Sequence, residues 1–151
     1  MRAAQSSGEE SVGELHQEAA LVKSGAIVLD CSDPDGLAEF YRQLLGADEC
    51  PGATSNRTDI QSPGGLRIAF RRDLNATPPS WPRPEDSLQA HLDFLVEERD
   101  IDAVERRIVA LGGTPVDASD RGDQGAVRQF ADPAGHSFTV RSSVRQAPKT
   151  D

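Results

Sequence analysis

A histidine and an aspartate two residues apart, His91 and Asp93, lie in a stretch that alternates polar and apolar side chains. In a β-strand, successive side chains point to opposite faces, so these two share one face while Leu92 and Phe94 point into the core. An imidazole beside a carboxylate can shuttle protons, which makes His91 the candidate catalytic residue. The alternative is that His91 is a half-buried histidine, hydrogen-bonded to a neighbour and without catalytic function.

The same alternation places further polar side chains on the corresponding faces of other predicted strands. Arginine binds a carboxylate or phosphate through two parallel hydrogen bonds, so the set favours a small, anionic ligand. The alternative is that Arg67 pairs with Asp93, and Arg71 with Asp30, on a solvated face. The candidate ligand-binding residues are Asp30, Arg67, Arg71, Asp93, Ser137, Thr139, Arg141 and Trp81.

Two series of elements position these side chains. The pattern predicts strands at 26–31, 57–61, 66–71, 91–96, 126–130 and 136–142, and helices at 34–45 and 100–111. Capping residues precede the first helix, and a glycine follows the last apolar residue of each helix. Four prolines around Trp81 exclude a central strand there, so residues 73–90 are predicted to be a linker, with Trp81 a hydrophobic anchor or a lid.

The two series are an internal repeat. Leu44-Leu45-Gly46-Ala47 matches Ala110-Leu111-Gly112-Gly113, and the turn Ser62-Pro63-Gly64-Gly65 matches Asp132-Pro133-Ala134-Gly135. The predicted domain covers residues 23–143, with modules at about 25–72 and 91–142. Residues 1–22 and 144–151 are predicted to be disordered tails, because few large apolar groups are present there to offset the entropy of ordering.

The ordered set of motifs resembles the glyoxalase / bleomycin-resistance / extradiol-dioxygenase superfamily, the vicinal oxygen chelate proteins, and in particular its single-domain bacterial branch. The motifs are the Asp33-Pro34 turn before Phe40-Tyr41, Leu45-Gly46, Trp81-Pro82, His91-Leu92-Asp93, Ala110-Leu111-Gly112 and Ala131-Asp132-Pro133-Ala134-Gly135. The resemblance implies an α+β fold of two tandem βαβββ modules, whose curved mixed sheets form a cup.

In metal-dependent members of that superfamily, side chains from the first and last strands of each module hold a divalent ion. The positions matched by the framing turns are Ala26, Ala69, His91 and Thr139. Such ions need three or four His, Asp, Glu or Cys donors, so we expect no metal and no other cofactor. A site rebuilt with Asp30 or Asp93 is the alternative.

Composition limits the partners. The formal net charge of -9 repels phosphate backbones, so nucleic acid is not an expected partner. No apolar run is long enough to span a membrane and no secretion signal is visible, while two cysteines fit a reduced protein; we expect a cytoplasmic location. Exposed strand edges favour a homodimer.

Three functions remain open at this stage. The first is a metal-independent protein of the bleomycin-resistance type that binds a small molecule. The second is a lyase, isomerase or dioxygenase of the glyoxalase type, either metal-dependent or using His91 with Asp93. The third is a protein-interaction module with a vestigial cup. No Gly-x-Ser-x-Gly elbow or spaced-glycine phosphate loop is present to suggest other chemistry.

Overall fold

The computed structural model of the chain describes residues 21–76, 90–116 and 127–143. The first module comprises β1 (Ile27–Cys31), α1 (Pro34–Leu45), β2 (Asp48–Glu49), β3 (Arg57–Gln61) and β4 (Arg67–Arg72). The second comprises β5 (Leu92–Val96), a 3₁₀ turn (Glu98–Asp100), α2 (Ile101–Leu111), β6 (Thr114–Val116), β7 (Val127–Ala131) and β8 (Ser137–Ser142). The repeat predicted from the sequence is therefore present.

Each module forms a four-stranded mixed sheet, in the orders β1-β4-β3-β2 and β5-β8-β7-β6. The first strand of each module runs parallel to the last, and the other pairs are antiparallel. The predicted α+β fold of two βαβββ modules is confirmed. None of the helices in the described part of the chain is long and apolar enough to cross a membrane.

Local chemistry explains the helix ends. The Asp33 side chain accepts a hydrogen bond from the amide of Gly36 at 3.2 Å, and Pro34 occupies the first turn of α1, where its missing N–H has no cost. Gly46 ends α1 at φ 61°, and Gly112 ends α2 at φ 108°. Glycine is suited to both positions because left-handed backbone strains other residues.

One hydrophobic core joins the modules. The ring of Tyr41, on α1, stacks on Phe70 of the first sheet with centroids 5.6 Å apart and meets Phe138 of the second sheet edge-on at 6.0 Å. The same cluster includes Ile108 of α2. The helix-side faces of both sheets contribute to this core. We call the opposite face of each sheet its open face.

The elements differ from the sequence-based ones in two respects. Strand β5 begins at Leu92, so the prediction that His91 is a strand residue is wrong; it precedes the strand and is exposed. Strands β2 and β6 were not predicted, because two or three residues carry no detectable periodicity. Trp81, most of the predicted linker, and residues 1–20 and 144–151 of the predicted tails lie outside the described residues.

Candidate functional site

The open face of the first module carries the densest group of charges. Strand register puts its members on one side of the sheet: Val28, Asp30, Arg57, Asp59, Gln61, Arg67, Ala69 and Arg71. Asp59 lies opposite Ala69, whose methyl group leaves space above the sheet. Long arginine side chains on both sides of Asp59 can therefore bend towards it.

Asp59 joins two arginines into a cluster. Arg57 donates from Nε to Oδ1 at 2.8 Å and from Nη2 to Oδ2 at 3.2 Å, while Arg67 donates from Nε and Nη2 to Oδ2 at 3.0 and 2.9 Å. The hydrogen bond from Arg57, together with Arg67, outweighs burial and lowers the pKa of Asp59. The carboxylate is thus ionised at neutral pH, and two guanidinium groups share one negative charge.

The cluster borders a cavity of about 260 Å³, lined by Pro51, Gly52, Ala53, Arg57, Asp59 and Arg67. The Asp59 side chain is 11% exposed, whereas those of Arg57 and Arg67 are 47% and 36% exposed. The two guanidinium groups therefore cover most of the carboxylate and are themselves the more exposed groups beside the cavity. This Arg57–Asp59–Arg67 cluster has a formal charge of +1 at a solvent-accessible surface.

The neighbouring pair on this face is neutral. Arg71 donates from Nε and Nη2 to the two carboxylate oxygens of Asp30, at 2.7 and 2.9 Å. The hydrogen bond from Arg71 lowers the pKa of Asp30. The ion pair considered from the sequence for Arg71 and Asp30 is therefore formed, whereas Arg67 binds Asp59 and not Asp93.

The open face of the second module is smaller and less charged. Asp93 accepts a hydrogen bond from Thr139 Oγ1 at 2.7 Å and pairs with Arg141 Nε at 3.2 Å. Ser137 lies on the same strand face, and Gln129, opposite Thr139, has a buried amide nitrogen without a hydrogen-bond partner among the described residues. This face offers hydroxyl and amide groups and no net charge.

The sequence-predicted site residues thus form two groups within one chain. Asp30, Arg67 and Arg71 lie on the first open face, and the second carries Asp93, Ser137, Thr139 and Arg141. His91 lies beside the second group, at the start of β5. Sequence reasoning missed Arg57 and Asp59, although the alternation in Arg57-Thr58-Asp59-Ile60-Gln61 carried the signal.

The positions matched to the family's metal ligands do not suit a divalent ion. Ala26 and Ala69 have no donor atom, and the Thr139 hydroxyl is bound to Asp93. In the described ranges 21–76, 90–116 and 127–143, no group of three or more His, Cys, Asp or Glu side chains could hold a metal ion. His91 alone does not make such a site.

A second cavity, of about 590 Å³, lies between the end of α1, strand β5 and α2. We call it the apolar groove; it is lined by Leu44, Leu45, Phe94, Leu95, Val96, Glu97, Asp100, Ala103, Val104, Arg107 and Val140. Its floor is apolar and its rim carries charges of both signs. None of its lining residues belongs to the groups of polar site residues on the two open faces. Leu95, which lines the groove, points to the second open face.

Comparison with known proteins places these observations in a family. The sequence profile described as a glyoxalase-like domain matches residues 26–141. A search of curated proteins found no match.

Solved structures share the fold at low sequence identity. The fosfomycin resistance protein FosX from Listeria monocytogenes is 18% identical, with 83% of this chain and 94% of that chain covered and a TM-score of 0.63. A glyoxalase/bleomycin resistance protein/dioxygenase family enzyme from Burkholderia phytofirmans PsJN is 16% identical, with coverage of 79% and 97% and a TM-score of 0.63. The hypothetical protein SA1046 from S. aureus is 17% identical, with coverage of 82% and 100% and a TM-score of 0.61.

Proposed function

Because the chain belongs to the glyoxalase-like domain family, we propose that it binds a small anionic molecule on the open face of its first module, without a divalent metal ion. The observation that carries this proposal is the Arg57–Asp59–Arg67 cluster. Its buried carboxylate is occupied by hydrogen bonds, so each arginine is held in place while further N–H groups remain for a ligand. A carboxylate, sulfate, phosphate or phosphonate matches that arrangement.

A structural neighbour supports this class of ligand. A FosX variant from Listeria monocytogenes was solved with Mn(II) and 1S,2S-dihydroxypropylphosphonic acid, and FosX was also solved with Mn(II) and a sulfate ion. The fold therefore accommodates a small anion in another protein. The same argument does not extend to the metal ion, since two of the four positions matched to the family's metal ligands are Ala26 and Ala69, which have no side-chain donor atom.

Calorimetric titration with sulfate and with methylphosphonate tests the site. Replacing Arg67 by Ala should weaken binding by roughly 1.5 to 3 kcal/mol, the range for a charge-assisted hydrogen bond. The matched control is Arg72→Ala. Arg72 is exposed and, by strand alternation, points to the opposite side of the sheet, so its replacement should change the affinity little. Equal, small effects of both substitutions would refute the anion site.

Metal analysis of the purified protein is the second measurement. We expect no stoichiometric zinc, iron, manganese or nickel, because the matched positions provide one imidazole and no carboxylate. One metal per chain, lost on replacing His91, would favour a metal-dependent lyase, isomerase or dioxygenase of the glyoxalase type instead.

We further propose that two chains pair, so that the first open face of one lies beside the second open face of the other. In the described part of the chain, β1 pairs only with β4 and β5 only with β8, and both are edge strands. They expose apolar side chains, with Ile27 46% and Leu95 63% accessible. Edges of this kind favour pairing with another chain.

Light scattering on the full chain tests this dimer. Ile27→Glu and Leu95→Glu should each lower the mass from two chains to one. The matched control is Val109→Glu, which changes an equally exposed apolar residue on α2, 49% accessible, and should leave the dimer intact. A monomeric unmodified chain would rule the arrangement out.

A further inference from the structure

His136 lies in the β7–β8 turn with both ring nitrogens facing acceptors. Nδ1 is 2.9 Å from Asp132 Oδ2, and Nε2 is 2.9 Å from the backbone oxygen of Asp30. A carbonyl oxygen can only accept. A neutral imidazole has one N–H and could satisfy one of these two contacts, whereas an imidazolium satisfies both.

The Asp132 carboxylate is an acceptor in each of its other hydrogen bonds. Its Oδ2 receives the hydroxyl hydrogen of Tyr41 at 2.7 Å, and its Oδ1 receives the amide hydrogens of Ala134 and His136 at 2.9 and 3.0 Å. Such a set suits an ionised carboxylate, which has no proton to give to the ring. The His136 side chain is 26% exposed and that of Asp132 is fully buried, so this ion pair is largely shielded from water.

The second contact of His136 crosses between the modules. The carbonyl that faces Nε2 belongs to Asp30 on β1, and the carboxylate of the same residue holds Arg71 on the first open face. The backbone position of Asp30 thus connects the inter-module contact with the charges of the open face. Arg71 lies opposite Arg57 in the strand register, next to the proposed anion cluster.

We propose that His136 is a positioning residue whose contacts depend on whether its ring is protonated. As an imidazolium it fastens β1 to the β7–β8 turn, and loss of the proton releases the contact with Asp30 and loosens the arginines beside the anion site. The part of this inference that concerns ligand affinity rests on the proposed function, whereas the fastening of the modules does not.

The surrounding charges favour the protonated ring. The titratable and charged groups near it are Asp132 on its own turn, Asp30 and Cys31 on β1, Arg71 on β4 and Tyr41 on α1. Arg71 is neutralised by Asp30. Burial alone would lower the pKa of His136, but the hydrogen bond and charge of Asp132, together with Asp30, raise it above the ordinary value.

The sign of the pH effect follows from that direction. A histidine whose pKa is higher in the folded chain stabilises the fold fully below its unfolded pKa of about 6.5 and loses that contribution as pH rises through the folded pKa. The stabilisation of the fold by His136 should therefore decline from about pH 6.5 upwards, while the contact with Asp30 itself is lost only as pH rises through the higher folded pKa.

Nitrogen-15 NMR of the unmodified full chain tests the protonation state directly. The chain has three histidines, His16, His91 and His136, and the His136→Gln variant assigns the resonances of the third. We expect the His136 ring to carry protons on both nitrogens in most molecules at pH 6.5, because each nitrogen faces an acceptor. A ring with one unprotonated nitrogen at that pH would overturn the proposal.

Thermal unfolding and sulfate binding test the consequences, since sulfate keeps its charge between pH 6 and 9. The midpoint of the unmodified chain should fall by about 4 °C more than that of His136→Gln as pH rises across this range. The control His16→Gln, in the N-terminal tail predicted from the sequence and outside the described residues, should behave like the unmodified chain. Equal pH profiles for the unmodified chain and His136→Gln would contradict the fastening.

Sulfate affinity should fall about threefold or more between pH 6.5 and 8.5 in the unmodified chain and in His16→Gln, but stay constant in His136→Gln. Constant affinity in all three would overturn the coupling to the open face. If sulfate binds at neither pH, the proposed function fails, while the NMR and unfolding results still decide the role of His136.

Discussion

The two modules share a fold but make different contacts at equivalent positions. Tyr41 on α1 corresponds to Arg107 on α2, because the ends of the two helices match residue by residue. Tyr41 is fully buried and binds Asp132 of the opposite module, whereas Arg107 is exposed on the rim of the apolar groove. Tyr41 thus links the two modules, whereas Arg107, at the equivalent position, borders an open cavity.

The turns differ in the same way. In the first module, the Ser62 hydroxyl accepts a hydrogen bond from the amide of Leu66 at 3.1 Å; in the second, the Asp132 carboxylate accepts one from the amide of His136 at 3.0 Å. Backbone geometry is preserved, but only the second turn carries a charge and an imidazole for the other module. A repeat can thus keep its fold while one copy acquires the inter-module contact.

The largest expected effect comes from Tyr41→Ala. Removing a fully buried aromatic ring should lower the free energy of unfolding by about 3 to 5 kcal/mol, through lost burial and a remaining cavity. The equivalent change, Arg107→Ala, should cost less than about 0.5 kcal/mol, as is usual for exposed residues. Denaturant unfolding measures both, and similar losses would show that the groove side also fastens the modules.

Asp132→Ala should lower the free energy of unfolding by about 3 kcal/mol. The hydroxyl of Tyr41 would then lie buried without an acceptor, and His136 would lose the carboxylate that it contacts. Its counterpart Ser62→Ala removes one local hydrogen bond and should cost about 0.5 to 1.5 kcal/mol. The comparison is made by the same denaturant titration. A larger loss of stability for Ser62→Ala than for Asp132→Ala would contradict the conclusion that the second turn, and not the first, holds the modules together.

Gly113→Ala gives the second module the residue that Ala47 provides in the first. A Cβ atom at Gly113 would lie 2.5 Å from Ile108 Cγ2 and 3.3 Å from Phe40 Cζ. The crowding should destabilise the fold by about 1 to 3 kcal/mol, typical of overpacking. Gly64→Ala is the control, since its nearest neighbour is the Ser62 hydroxyl oxygen at 3.9 Å. An unfolding midpoint unchanged by Gly113→Ala would mean that α1 and α2 are less tightly packed than described.

Much of the local structure followed from local sequence. Alternation placed Asp30 of β1 and Arg67 and Arg71 of β4 on the same face of the first sheet. Helix caps at Asp33 and Gly46 set the limits of α1. These predictions succeeded because side-chain direction in a strand and capping in a helix depend on neighbours a few residues away.

Partners distant in sequence could not be predicted in this way. The sequence suggested that Arg67 pairs with Asp93, but β4 and β5 belong to different sheets, and Arg67 reaches Asp59 across the β3–β4 hairpin instead. His136 follows the predicted turn Asp132-Pro133-Ala134-Gly135 without any sequence signal of its own, although its Nε2 atom lies 2.9 Å from the backbone oxygen of Asp30, 106 positions away in the chain. Sheet order, register and the shared core determine such contacts, and no local periodicity records them.

The sequence by itself therefore determined the two modules, their helices and most strands, and which side chains of each strand point to the same side. Only the tertiary structure decided that the polar residues divide between two separate sheets, that Asp59 pairs with two arginines, and that His136 contacts both modules. The physical reason is that periodicity and capping act within a few residues, whereas ion pairs and packing depend on how whole sheets meet.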